Sequence, residues 1–444
     1  FSLNDVIMAG RQQLTRSEHL LAADTRRNVR NLLASAKLLV LVVIVSLAMG
    51  VAAWAFLASL NIATDYREQH AWVYALLPAV GVATAWVYKN HGLAAKRGNN
   101  LVIDSAPGHT PHPYAHGRPH LRLLHAHHLT GGQPVARAAV QIGGTIASNI
   151  SSLAHLKKHD HHDLMLAGIS SAFGAVFGSP LAGAFFGMEM CFIGKIDYTA
   201  GIYCLVASFT GYFTSLALGT EYEANVIASV PNMTPRTVVI VVISAIIFGL
   251  TARLFAWSVR TVKSLYGRLI TNYLVRALIG ALVVLAAYAL LDAWNYAGLA
   301  TWLSGAGFSG NTTLADASIK LVVTALTLGA GFQGGEVTPL FGIGAALGGW
   351  IGCLTGLDPS FLAALGMLGV FCAGLNVPIT TCMMAIDLFH GTAAGFFVIV
   401  AFISYLTGGH RGVYPAQRII SPKRRSLIVD EGGTVAELSS ATTT

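Results

Sequence analysis

The polar and apolar positions of this 444-residue chain fall into long blocks. Residues 1–35 are polar and basic, with apolar side chains at Val6, Ile7, Leu14, Leu20 and Leu21. That pattern predicts an amphipathic helix lying on the cytoplasmic membrane surface. Residues 38–60 are almost wholly apolar, long enough to cross a hydrocarbon core about 30 Å thick. A second span fits 71–88, and further apolar runs fall near 164–190, 200–218, 237–258, 275–293, 319–332, 340–356, 360–375 and 378–406. Several are short, and many are broken, as at Gly178-Ser-Pro180, Gly334-Gly-Glu-Val-Thr-Pro339 and Asn376-Val-Pro378. Interrupted runs of this kind predict half-helices that meet within the membrane, the arrangement that builds ion sites in transporters.

Two stretches about 200 residues apart look alike. Gly131-Gly132 precedes Ala139-Val-Gln-Ile-Gly-Gly-Thr-Ile-Ala147, and Gly334-Gly335 precedes Pro339-Leu-Phe-Gly-Ile-Gly-Ala-Ala-Leu347. A glycine pair, a short polar stretch and a small-residue helix in each half point to an internal repeat with a site between the halves.

Composition agrees with this pattern. Hydrophobic residues make up 54% and charged residues 11%, where a soluble domain carries about 25% charge. That excludes a disordered chain and argues against a soluble enzyme, and no nucleophile–base motif or phosphate loop is visible. The net charge of +8 is not read as a nucleic-acid footprint, because the basic residues flank apolar runs. Arg11, Arg16, Arg26, Arg27, Arg30 and Lys37 precede the first run, and Lys423, Arg424 and Arg425 follow the last. The positive-inside rule then places both termini in the cytoplasm. The chain begins at Phe1, which points to trimming; no cleavable signal peptide is visible, and the tail after Lys423 is too short for a soluble regulatory domain. The five cysteines are odd in number and sit in or beside apolar segments, so they are expected to be free thiols packed in helices.

Glu336 carries the most chemical information. An ionisable side chain between apolar runs is costly and marks an ion or proton pathway, although an interfacial or helix-capping glutamate reads the same way from position alone. The glycines before it permit close backbone approach. Val337 and Thr338 precede Pro339, so their amides can open a helix N-terminus that attracts anions. Gly98-Asn99-Asn100-Leu101 reads as another helix start. Tyr414, in Gly412-Val-Tyr-Pro415, reads by itself as an interfacial anchor or as a ligand.

Gly334-Gly-Glu-Val-Thr-Pro339, Gly98-Asn-Asn-Leu-Val-Ile-Asp104, Ser179-Pro-Leu-Ala-Gly-Ala-Phe-Phe-Gly-Met-Glu189 and Tyr414 occur in the order seen in the CLC anion channels and transporters. The chain resembles that family over its whole membrane body, and is most similar to the bacterial CLC fluoride/proton antiporters. Asn99 stands where chloride members have the serine of GSGIP. Glu336 stands where they have an apolar residue in GGIFAP, and Met190 where exchangers often have an inner proton-carrying glutamate.

The resemblance implies an all-α polytopic membrane protein with an inverted repeat of tilted, broken helices. It also implies a homodimer with one pore per subunit, in a bacterial inner membrane. The expected division is 1–35 as the N-terminal segment, 36–260 and 261–410 as the two halves, and 411–444 as a pore-facing segment and tail. By carry-over, Asn99, Glu336, Val337, Thr338 and Tyr414 line the anion path, and Glu336 also handles protons. The implied activity is fluoride export in exchange for protons, conferring fluoride resistance; a chloride channel or chloride/proton antiporter is the alternative. Neither is an enzyme, and neither implies a cofactor, a resident metal or nucleic acid; the partners are fluoride or chloride, protons and lipid.

Residues 105–137 break the resemblance. This stretch holds seven of the chain's 16 histidines and five prolines, where the family has an apolar helix followed by GREG, whose glutamate gates the pore. Ala136 occupies the gate position, so no gating glutamate is present. A metal-binding loop is one reading, through His109, His112 and His116, or through His159, Asp160, His161, His162 and Asp163 in the next polar stretch. Translation out of frame fits better. Shifted by one nucleotide, Pro107–His127 can read QDTPRIPMRMGAPTFVCSMLT. Shifted by two, Gln133–Ala138 can read AGREG, which restores the glutamate.

Overall fold

A computed structural model describes residues 3–91, 99–105, 136–222, 224–332, 334–423 and 433–441. Nearly all of it is helical. The first helix, α1 (Leu3–Gln69), runs unbroken for 67 residues, so the expected surface helix over 1–35 is not a separate element. Between Arg11 and Met49 there is no Gly or Pro to end it, and Leu, Ala and Arg favour its continuation. A 3₁₀ turn (Ala71–Leu76) leads into α2 (Leu77–His91). Next comes the short α3 (Asn99–Ser105); then α4 (Ala136–Leu153), α5 (Lys158–Phe177), α6 (Pro180–Glu189) and α7 (Gly201–Ala217) follow.

The second part holds α8 (Pro235–Leu269), α9 (Tyr273–Leu290), the short α10 (Trp302–Phe308) and α11 (Leu314–Gly329). It continues with α12 (Val337–Thr355), α13 (Pro359–Leu375), α14 (Pro378–Phe389) and α15 (Ala394–Gly408). Beyond these lie a two-residue parallel strand pair, β1 (Phe192–Ile193) with β2 (Arg418–Ile419), and α16 (Val435–Ala441). Residue 260, the expected border between the halves, lies inside α8.

Among the described residues, six helical stretches are long and apolar enough to cross a membrane: Asn31–Gln69, Ala71–Asn90, Tyr198–Ala217, Pro235–Leu269, Tyr273–Leu290 and Val337–Thr355. Several others are shorter. At 1.5 Å per residue, the ten residues of α6 reach only about 15 Å, half of a hydrocarbon core. Proline sets where four helices begin: Pro180, Pro235, Pro359 and Pro378 each occupy a first helical position, where the missing N–H costs nothing. The apolar run 378–406 is not one span but two. It turns at His390–Ala393, where His390, Gly391 and Ala393 adopt left-handed backbone.

Helices α4–α7 and α12–α15 repeat one pattern of two longer helices, a short one and a longer one. Gly178 and Asn376 end the second helix of each set in the left-handed conformation, two residues before Pro180 and Pro378. The two short helices lie antiparallel and cap each other. Nine residues after Pro378, Asp387 Oδ2 accepts from Ala182 N (2.8 Å) at the start of α6. Nine residues after Pro180, Glu189 accepts from Ile379 N (3.1 Å), Thr380 N (2.8 Å) and Thr380 Oγ1 (2.7 Å) at the start of α14. Each carboxyl meets the N–H groups that a helix start leaves without partners. Corresponding elements related head to tail in this way are the mark of an inverted repeat.

Glycine lets these helices touch backbone to backbone. A Cβ on Gly344 or Gly348 of α12 would overlap the Gly366 or Leu362 carbonyl of α13, and one on Gly143 of α4 would overlap the Gly168 carbonyl of α5. Rings fill the space between the sets. Phe186 and Phe371 both pack on Phe173, and Phe371 also meets Phe341.

Candidate functional site

Asn99 opens α3, fully buried, and its Nδ2 donates to Tyr414 Oη at 3.0 Å across 315 residues of sequence. Tyr414 is also fully buried, so the interfacial-anchor reading of this residue does not hold. Asn99 Oδ1, equally buried, has no hydrogen-bond partner among the described residues. The next residue strengthens the link: Asn100 Oδ1 accepts from Ala416 N (3.1 Å). The segment that follows the last long helix therefore folds back against the start of α3.

Glu336 occupies the N-cap position of α12 and is only 3% exposed. Its carbonyl accepts from Leu340 N (3.3 Å). Val337, buried, and Thr338, half-buried, form the first turn. Their amides have no carbonyl one turn back within the helix, and Pro339 has no N–H at all. Gly374, near the end of α13, joins this turn to Tyr414. Its Cα faces the Leu340 side chain, and its carbonyl accepts from Val413 N (2.9 Å). A buried glutamate at the start of α12 and the buried Asn99–Tyr414 pair thus both lie in the protein interior.

The loop bearing Tyr414 is held from the far side as well. Ala436 N donates to the Pro415 carbonyl (2.9 Å) and Val435 N to the Gln417 carbonyl (3.0 Å). Lys423 Nζ donates to Asn376 Oδ1 (2.6 Å), Tyr405 O (2.7 Å) and Gly409 O (2.6 Å) and lies over the Tyr405 ring. Sequence reasoning missed this role of Lys423, because nothing local marks a half-buried lysine as a brace.

The gate position, Ala136, is the first residue of α4. Its side chain and residues 106–135, including His109, His112 and His116, lie outside the described residues. The second polar stretch is described, and it does not form a metal site. His159 pairs with Asp163 (3.3 Å), His162 with Asp197 (2.9 Å), and His161 with Ser151 (2.7 Å). These side chains engage different partners, and among the described residues no three ligating groups converge. The five cysteines are all free, as expected, though Cys353 is exposed.

Residues 123–409 match the family model described as voltage gated chloride channel. A chloride/fluoride channel protein of Pseudomonas syringae pv. tomato is 37% identical over 407 residues, covering 89% of each chain. An H(+)/Cl(-) exchange transporter ClcA of Vibrio cholerae is 22% identical over 56% of each chain. The crystal structure of a CLC-type fluoride/proton antiporter superposes with a TM-score of 0.82 at 29% identity, over 86% of this chain and 98% of that one. A slow cyanobacterial Cl-/H+ antiporter shares the fold, with a TM-score of 0.73 at 16% identity over 85% and 96%. With the antiparallel, mutually capped short helices in place, this chain belongs to the CLC family of voltage gated chloride channels and anion/proton transporters.

Proposed function

We propose that this protein exports fluoride across the bacterial inner membrane in exchange for protons and so confers fluoride resistance. Both termini face the cytoplasm, and it works as a homodimer with one path per subunit. The observation that carries this reading is the buried Asn99–Tyr414 hydrogen bond, with a buried Glu336 at the start of α12 as its second support. The likeness to a fluoride/proton antiporter at 29% identity supports it, as does the chloride/fluoride channel relative.

Fluoride is small and strongly hydrated, so closely placed donors must replace its water. The Val337 and Thr338 amides, the Thr338 hydroxyl and the Tyr414 hydroxyl are such donors, and the helix dipole adds to them. Because Asn99 Nδ2 donates to Tyr414 Oη, that bond leaves the single hydrogen of the phenol available to the anion. Glu336 couples the proton to this path. A protonated carboxyl donates a hydrogen bond to fluoride, whereas an ionised one repels it. Protons moving inward then drive fluoride outward.

A chain carrying Ala136 lacks the outer carboxyl, and its expected behaviour is loss of proton coupling or a non-functional path. Mass spectrometry of peptides across 105–138 decides which chain exists: recovery of the His-rich peptides as written sinks the out-of-frame reading. The transport reading is tested by fluoride efflux from liposomes with simultaneous proton recording. Glu336→Gln should abolish coupled proton movement; unchanged coupling removes Glu336 from the mechanism. A fluoride-to-chloride flux ratio near one would favour a chloride transporter.

A further inference from the structure

Tyr414 reaches Asn99 because one buried side chain pins the chain behind it. Residues Tyr414, Pro415, Ala416 and Gln417 form a turn closed by a hydrogen bond from Gln417 N to the Tyr414 carbonyl (3.2 Å). The Gln417 side chain is fully buried, and both ends of its amide are engaged. Oε1 accepts from Asn376 Nδ2 (2.9 Å), while Nε2 donates to the Met190 carbonyl (2.9 Å) and the Leu375 carbonyl (2.7 Å).

These partners are two helix ends. Met190 is the C-cap of α6, Leu375 is the last residue of α13, and Asn376 is the left-handed cap that follows it. Carbonyls at helix C-termini lack partners within their own helix, so this amide also satisfies groups that burial would otherwise strand. Gln417 thus ties the Tyr414 turn to both sets of the repeat at once, since α6 belongs to the first and α13 to the second. A hydrogen bond weakens steeply once its atoms separate by a few tenths of an ångström or its angle bends. The Asn99–Tyr414 bond at 3.0 Å therefore depends on where this turn is held.

We propose that Gln417 is a positioning residue for the anion path: it places the Tyr414 hydroxyl opposite Asn99 and thereby sets anion affinity without touching the anion. The proposal rests on the reading of Asn99 and Tyr414 as lining that path.

The test measures the fluoride concentration for half-maximal efflux from liposomes, using wild type, Gln417→Met, Tyr414→Phe and the double variant, each normalised to monodisperse protein. Gln417→Met keeps chain length and burial but removes the three hydrogen bonds. It should raise the half-saturating concentration about tenfold, equivalent to about 1.4 kcal/mol. The double variant should be no worse than Tyr414→Phe alone, because the hydroxyl that Gln417 places is already gone. A purely structural role predicts otherwise: less folded protein, an unchanged half-saturating concentration, and effects that add to Tyr414→Phe. Either an unchanged half-saturating concentration or strict additivity overturns the proposal. Should Gln417→Met fail to fold, Gln417→Asn keeps the amide but shortens the reach by one methylene, and the same comparison applies. Efflux of chloride in place of fluoride changes the anion read but not the comparison. Absence of any anion flux in a wild type whose peptides across 105–138 carry the gating glutamate overturns the path itself, and this proposal with it.

Discussion

Replacing Glu189 by alanine strips three hydrogen bonds from the start of α14 in one step. Ile379 N, Thr380 N and Thr380 Oγ1 all donate to this carboxyl at 2.7–3.1 Å, and both Glu189 and Thr380 are buried. Hydrogen bonds to a charged acceptor contribute about 1.5–3 kcal/mol each, and a buried donor left alone costs about 1–3 kcal/mol. The full sum overstates the effect, since all three bonds share one carboxyl and the Thr380 hydroxyl can rotate to another acceptor. Two stranded backbone N–H groups remain, and they set the expected loss for Glu189→Ala at about 2–5 kcal/mol. Glu189→Gln keeps the length and one acceptor oxygen, so its loss should be about 1–2 kcal/mol. Asp387→Asn disturbs the reciprocal cap on Ala182 N. Asp387 is only half-buried, so water can replace part of what is lost, and its cost should fall below that of Glu189→Ala. The assay is the fraction of monodisperse detergent-solubilised protein left after heating, ranked across the variants, because large membrane proteins commonly unfold irreversibly. Wild-type stability in Glu189→Ala, or a larger loss in Asp387→Asn, would refute the reciprocal-cap account.

Three further outcomes are expected. Gly348→Ala places a Cβ against the Leu362 carbonyl, and separating α12 from α13 should cost about 1–3 kcal/mol or prevent folding; the same heating assay reads it, and unchanged stability refutes the tight contact. Asn99→Ala removes the donor to Tyr414 and should raise the half-saturating fluoride concentration about tenfold, equivalent to about 1.4 kcal/mol; unchanged efflux kinetics would remove Asn99 from the path. Burial opposes ionisation of Asp197, but hydrogen bonds from Thr199 and His162, with the His162 charge, outweigh it and hold the carboxyl below its ordinary value. A carboxyl more acidic in the folded state stabilises the protein above its unfolded pKa, and that contribution is lost as pH falls through the lower folded value. Wild type should therefore outlast Asp197→Asn near neutral pH and lose that advantage as pH falls through the lowered folded value of the carboxyl; an advantage unchanged with pH counts against this linkage.

Much of the architecture was legible along the chain because its signals are local. Apolar runs marked the helices, and Pro180 and Pro378 marked where broken ones begin. The turn at His390–Ala393 was missed because apolar residues flank it closely on both sides, so the composition barely changes across a break made by left-handed backbone. The continuous α1 was missed for the opposite reason: a change in composition at Lys37 looked like a boundary, while no helix-breaking residue accompanied it. At the site, Glu336 stood out as a charge among apolar neighbours. Asn99 and Tyr414 gained their meaning from the family motif and not from their own surroundings.

What the sequence determined by itself is the membrane character, the broken helices, and the placing of Glu336, Val337 and Thr338 at a helix start. All of these follow from the cost of putting polar groups in hydrocarbon and from the backbone demands of Gly and Pro, which act over a few residues. Only the tertiary structure decided which distant groups meet. Asn99 and Tyr414 are 315 positions apart, Glu189 and Thr380 are 191 apart, and Gln417 and Met190 are 227 apart. Such pairs are chosen by burial. Once a donor or acceptor leaves water, it must find whatever partner the packed helices bring within about 3 Å, and no spacing along the chain records that choice.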